Sequence, residues 1–295
     1  MKALNIFLLF VLGMLWGGSF IFMRHLAPIF GVVLTADLRI LIGGGVLCVV
    51  FVILGIRLDW KKYWRQYTVI GLLNSGLPFL FYSFAALHIP GAVSSIVNSL
   101  APVFGAIFSA FWLNDRLSVR KVCGLAAGVA GVSILTTGGT IAGNLASYLA
   151  LGACVLATVC YGLSGVYIKI RAAGIRPRAL TAASQVIAGF IILPFAFAAP
   201  PAGPVTPAAL GILIAFGVLC SGLAYLIYYK LIRDDGPTRA LTVSFIIPVF
   251  GMLFGRLFLG ESLTWSMLAG VAVILTGTGL VVLPGRRARA GRARS

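Results

Sequence analysis

The feature that most constrains this chain is a succession of apolar runs, each close to 20 residues long and bounded by charge, Pro or Gly, with little sequence between them. A helix rises about 1.5 Å per residue, so about 20 apolar residues match the roughly 30 Å hydrocarbon core of a bilayer. Ten such runs are read, at 4–23, 32–55, 67–87, 92–113, 119–138, 147–168, 180–199, 208–231, 240–259 and 265–283. Composition agrees, since 60% of the 295 residues are hydrophobic and 10% are charged, against about 25% charged in soluble proteins. A water-soluble globule of this make-up could not enclose its apolar side chains, and the mean hydropathy of +1.07 points to lipid as the solvent. The expected fold class is all-α integral membrane, with ten transmembrane helices. The first run has one Lys in front, no small-residue cleavage pattern behind and nine runs after it, so it reads as a retained helix and not a secretory signal.

Charge sets the expected orientation. The net charge is +17, from 23 Lys and Arg against 6 acidic residues, a balance that on a soluble domain would suggest nucleic acid. Here the bases lie between apolar runs, and the expected partners are a lipid bilayer and a small-molecule substrate, with no nucleic acid. With the N-terminus cytoplasmic, 20 of the 23 fall on the cytoplasmic side, including Lys61, Lys62, Arg176, Arg178 and the tail Arg286, Arg287, Arg289, Arg292 and Arg294. Arg24, Arg39 and Arg256 are the remainder, so the positive-inside rule places both termini in the cytoplasm. Cys48, Cys123, Cys154, Cys160 and Cys220 sit inside apolar runs without paired spacing, and read as small hydrophobes.

The chain also repeats. At an offset of 146, Pro102-Val103-Phe104-Gly105 falls on Pro248-Val249-Phe250-Gly251. The register continues through Phe108 on Phe254, Leu113 on Leu259, Asp115 on Glu261, Leu117 on Leu263, Gly124 on Gly270 and Gly131 on Gly277. Each repeat holds five runs, and an odd number makes the second half enter the membrane from the opposite side. Inverted repeats of this kind build many secondary transporters, with the substrate site near the midplane between the halves. The expected organisation is a first repeat over 1–141, a second over 142–285 and a basic cytoplasmic tail over 286–295.

Trp16-Gly17-Gly18-Ser19-Phe20, the Ala36-Asp37-Leu38-Arg39 segment, and the two Pro-Val-Phe-Gly copies running on to an acid-centred turn and a Gly-rich helix resemble the EamA branch of the drug/metabolite transporter superfamily. The likeness covers essentially the whole chain. It implies a ten-helix inner-membrane carrier of two inverted five-helix repeats that exports amino acids or other small metabolites, and similar proteins include exporters of aromatic amino acids. Three departures stand out. Asn114-Asp115 replaces the usual Gly-Glu that the second repeat keeps as Gly260-Glu261, Tyr161-Gly162 stands where the first span has Trp16-Gly17, and Arg39 falls opposite Ala183 or Ser184 without a matching charge.

At membrane depth a polar side chain needs a partner or a wet cavity. Ser75, Phe79 and Tyr82 share a helical face in the third run, and Ser221, Tyr225 and Tyr228 repeat the trio in the eighth. Asn98 falls on Ser244, and at an offset of 145 Trp16 falls on Tyr161 and Ser19 on Ser164. With Asn74, these residues are expected to line a central substrate cavity. The competing reading is interhelical hydrogen bonding and aromatic packing. Pro102 and Pro248 form a matched pair of kinks and candidate hinges, beside Pro78 and Pro194. Asp115 and Glu261, ahead of Ser118 and Thr264, are expected to cap the fifth and tenth spans. Gly124, Gly128, Gly131, Gly270 and Gly277 permit close helix approach, either to one another or across a dimer.

Asp37, Arg39, His88 and Glu261 are the candidates for coupling, with Asp37 and Arg39 expected to pair or to touch substrate near the outer end. So few titrating groups favour facilitated export or exchange of a net-neutral solute. Gly162-Leu163-Ser164-Gly165 formally resembles an intramembrane serine protease motif, but His25 and His88 lie at outer helix ends, away from Ser164. No His, Cys and carboxylate spacing suggests a metal, and no cofactor or enzymatic activity is expected. The alternatives to an amino-acid exporter are a passive channel or a carrier of drugs or nucleosides with the same architecture. The sequence leaves the oligomeric state open.

Overall fold

The computed structural model describes residues 2–113, 115 and 118–282. Asn114, Leu117 and the basic tail 286–295 lie outside the described residues. Among those described, the regular structure is helical. Eight helical stretches are long and apolar enough to cross a membrane: Ala3–Ile53, Trp60–His88, Gly91–Trp112, Val119–Thr137, Leu145–Arg171, Pro177–Ala198, Pro207–Asp235 and Trp265–Val282, with Val243–Leu259 a shorter apolar helix. Helix satisfies every backbone polar group within its own segment, which lipid requires.

The first helix, α1 (Ala3–Ile53), has 51 residues and would span about 75 Å if straight, more than twice the hydrocarbon core. It is broken at Gly31, whose φ of 77° and ψ of 173° no ordinary side chain adopts easily. Pro28 lies three residues upstream, where it cannot donate to the helical ladder. Two legs result, before and after Gly31, where the sequence reading has two spans.

The chain continues as α2 (Trp60–Gly71), a π turn (Leu72–Gly76) and α3 (Leu77–His88), then α4 (Gly91–Asn98), α5 (Ala101–Trp112), α6 (Val119–Thr137), α7 (Leu145–Arg171) and α8 (Pro177–Ala198). A second π turn (Gly217–Leu223) joins α9 (Pro207–Phe216) to α10 (Ala224–Asp235), followed by the short α11 (Pro237–Ala240), α12 (Val243–Leu259) and α13 (Trp265–Val282). The expected run 92–113 is therefore divided at Ser99 and Leu100, and the run expected from 240 begins as a helix at Val243. The matched proline kinks need correcting. Pro102 opens α5 after that interruption, whereas Pro248 lies inside the unbroken α12, so the two are not equivalent.

α1 occupies the centre and packs against α3, α4, α8, α9, α10 and α12, which belong to both repeats. α6 and α13 pair with each other. A Cβ on Gly124 would lie 2.6 Å from the Gly277 carbonyl oxygen, and one on Gly277 would lie 2.6 Å from that of Gly124. Gly131 and Gly270 face each other in the same way, at 3.0 and 3.2 Å. The glycine stripes thus serve contact between these two helices.

Hydrogen bonds join chain segments at two opposite ends. At one end Asn5 donates to Asp235 at 2.6 Å. At the other, Arg24 donates to the Ala86 carbonyl, Ser147 to that of His88, Gly203 N–H to that of Ile29 and Thr140 to Ser266.

Gly124→Val or Gly277→Val should destabilise the fold by about 1–3 kcal/mol through overpacking. Gly152 has nothing within 4 Å of an added Cβ, so Gly152→Ala should leave stability unchanged or slightly raised. Thermal unfolding of the detergent-solubilised variants checks both.

Candidate functional site

The two π turns coincide under the repeat. Gly71-Leu72-Leu73-Asn74-Ser75-Gly76-Leu77 lies on Gly217-Val218-Leu219-Cys220-Ser221-Gly222-Leu223 at the offset of 146. A π turn inserts one extra residue into a helix, and such insertions are frequent at functional sites. The shared G-x-L-x-S-G-L is a longer match than Pro-Val-Phe-Gly. It could have been found by extending the Ser75 and Ser221 pairing by a few residues on each side.

Glycines let both turns press on neighbours. A Cβ on Gly217 would lie 2.6 Å from Ile42 Cβ, and one on Gly43 would meet Ser221, so the second turn is wedged on the second leg of α1. A Cβ on Gly71 would meet the Ser184 carbonyl and approach Ala188 at 3.1 Å, so the first turn is wedged on α8. Each π turn therefore packs on a helix of the opposite repeat.

This wedge aims Ser221 at Arg39, whose Nε–H donates to the hydroxyl at 3.0 Å. Arg39 is 3% exposed. Its guanidinium carbon lies 3.7 Å from the Phe79 ring centroid and 4.5 Å from that of Phe216, with Nη1 3.8 Å from Met23 Sδ. The expected pairing with Asp37 does not occur. Two residues apart on a helix, the side chains point to different faces, and both Asp37 carboxyl oxygens are buried without a hydrogen bond.

Trp16 Nε1 donates to the Cys220 carbonyl inside the second π turn at 3.2 Å, and its ring lies 5.6 Å from Tyr225 and 5.3 Å from Tyr228. The Asn74 side chain lies beside the Tyr225 hydroxyl. Beside this group, Tyr82 donates to Asn98 Oδ1 at 2.9 Å, stacks on Tyr161 at 6.4 Å and meets Phe20 edge-on at 5.2 Å. The expected residues therefore converge, but their rings rest on one another. Two hollows of about 220 and 270 Å³ are lined by none of these rings, one along α6 and α13 at Ala127 and Ala272, the other at Leu73 of the first π turn, Trp112 and Tyr167.

The remaining expected residues have local roles. Ser19 donates to the Trp16 carbonyl one turn back at 2.7 Å. Ser244 contributes its carbonyl to Ser99, while Ser75 is buried in the first π turn. The Ser164 hydroxyl is buried and unpaired, as are Thr35, Ser83 and Gln185, three residues the sequence reading passed over. His88 packs its ring on Phe84 at 4.9 Å and is exposed.

The capping role expected of Glu261 is corrected. Its carboxylate accepts from Gly91 N–H at 2.7 Å and Ala92 N–H at 3.1 Å, so it caps α4 in the first repeat and not its own α13. The free N–H groups and positive dipole end of α4 attract it there. Thr264 caps α13 through Met267 N–H, and Asp115 pairs with Lys121 at 2.8 Å while Ser118 caps α6.

A model of the EamA-like transporter family matches residues 3–137 and again 148–283. The chain belongs to the EamA-like transporter family. The transporter, a multi-pass membrane protein, is 28% identical over 287 residues to "Uncharacterized transporter YvbV" of Bacillus subtilis, covering 95% of this chain and 92% of that one. It is 24% identical over 291 residues to "Uncharacterized inner membrane transporter YedA" of Escherichia coli strain K12, with 94% and 92% covered. A solved crystal structure shares the fold, with a TM-score of 0.66 and 20% identity over 98% of the transporter and 99% of that chain.

Glu261→Ala should cost about 1.5–3 kcal/mol by leaving two amide donors without their charged acceptor. Glu261→Gln, which keeps one carbonyl oxygen, should cost less, and thermal unfolding in detergent gives the order.

Proposed function

We propose that this transporter exports small metabolites, with amino acids as the substrate class and aromatic ones foremost, across an inner membrane by alternating access between its two repeats. The observation that carries the reading is the pair of repeat-related π turns, each wedged on the opposite repeat and flanked by aromatic rings and polar groups. A side chain in such a position is displaced whenever the repeats move against each other. The rings that now rest on one another supply apolar walls once parted, while Asn74, Asn98 and the serines supply hydrogen bonds to a polar end.

In this reading the chain crosses the membrane ten times, with the two legs of α1 and the shorter α12 counted as crossings, as two inverted five-helix halves over 1–141 and 142–285. The contacts that join alternate interhelical segments at opposite ends of the molecule support it. The excess of Lys and Arg on one side favours cytoplasmic termini. The likeness to YedA, named an inner membrane transporter, supports an inner-membrane setting. Pro102 and Pro248 remain candidate hinges of unequal local geometry.

Transport by purified protein in proteoliposomes, with labelled amino acids and nucleosides and with or without an imposed proton gradient, tests the reading. Saturable flux of an amino acid is expected. Flux that never saturates would make it a channel, and a saturable nucleoside would move the substrate class. Tyr82→Ala and Tyr228→Ala should each lower the rate about two- to tenfold, the scale of one lost aromatic contact, in protein that still folds. Unchanged rates in both folded variants would exclude this face as the path.

A further inference from the structure

We propose that Arg39 is the anchor for a carboxylate group of the transported solute, with Ser221 holding the guanidinium in place from the other repeat. The inference deepens the transporter reading above by assigning one end of its site. The chain has six acidic residues. Asp59 lies beside Arg57, Asp115 beside Lys121, Asp234 beside Lys230 and Arg233, and Asp235 beside Arg239, all at helix ends. Glu261 is taken up by the amides of α4. Asp37 is buried on another face of α1 and makes no bond to Arg39. Among the described residues, no carboxylate is bonded to this cation, which is 3% exposed.

A buried guanidinium without an anion is unfavourable in a membrane protein and marks a functional site. Phe79 and Phe216 flank the group through cation–π contact, which leaves the edge of the fork as its hydrogen-bonding direction. Of the five N–H donors, Nε–H is committed to Ser221 and one on Nη1 points at the weak acceptor Met23 Sδ. The donors on Nη2 have no partner among the described residues. A planar carboxylate matches a guanidinium edge with two parallel bonds. The Ser221 hydroxyl accepts from Nε and keeps its own proton to donate. Because Arg39 belongs to the first repeat and Ser221 to the second, the anchor is assembled across the interface that alternating access would move.

The test uses melting temperature in detergent, which does not depend on knowing the cargo. The probes are L-phenylalanine and 3-phenylpropionate, against L-phenylalaninamide and 3-phenylpropanamide at equal ionic strength. The two acids should raise the melting temperature by roughly 2 °C or more, and the amides should not. Arg39→Gln should abolish the response to acid, and Ser221→Ala should weaken it at least about twofold in concentration dependence. Equal response to acids and amides in the unaltered protein, no response to either, or an undiminished acid response in folded Arg39→Gln would each overturn the proposal. Because acid and amide are compared on unaltered protein, failure of a variant to fold leaves the test intact. In proteoliposomes, an acid response without amino-acid flux would reject the substrate class and keep the anchor. Saturable amino-acid flux with equal competition by the amide would reject the anchor and keep the carrier.

Discussion

The rest of the structure depends on two close backbone approaches, each made where a π turn of one repeat lies against a helix of the other. Gly71 and Gly217 have no Cβ, and any side chain there would collide with Ser184 or Ile42. In lipid there is little hydrophobic drive to bring helices together, so short-range packing and hydrogen bonds must do it. One contact lies on α8 and the other on the second leg of α1, and the Glu261 cap on α4 links the repeats at one end. Around them the aromatic groups of Trp16, Tyr225 and Tyr228, and of Phe20, Tyr82 and Tyr161, fill the space between helices.

Much of the helical layout was legible because lipid imposes so few options. Twenty apolar residues in lipid fold as helix, and the break at Gly31 falls at the gap between the first two runs. The repeat was legible from Pro-Val-Phe-Gly. What could not be read were contacts set by rotation about a helix axis. Asp37 and Arg39 are close in sequence and were expected to meet, yet helical geometry turns them apart and gives Arg39 to Ser221, 182 positions away. Glu261 sits just before α13, yet its carboxylate reaches the first turn of α4. Pro102 and Pro248 align in sequence but occupy a helix start and a helix interior.

The site shows the same division. Trp16, Asn74, Tyr82, Asn98, Tyr161, Tyr225 and Tyr228 come together as the repeat arithmetic suggested. Phe216 and Met23, which border Arg39, carry no sequence signal that separates them from ordinary core. The π turns were encoded in G-x-L-x-S-G-L, a pattern whose meaning is conformational and invisible to hydropathy.

The π turns have one consequence for how side chains are presented. An α-helix advances about 100° per residue, so an inserted residue rotates everything downstream by roughly that angle relative to an uninterrupted helix. Tyr225 and Tyr228 follow the second insertion, and Phe79 and Tyr82 follow the first. Their inward aim is therefore a matter of phase, set by where the extra residue resides. Sliding the insertion past them would turn the rings away and bring a different row of residues to the centre, with no change in the chain's length or connections.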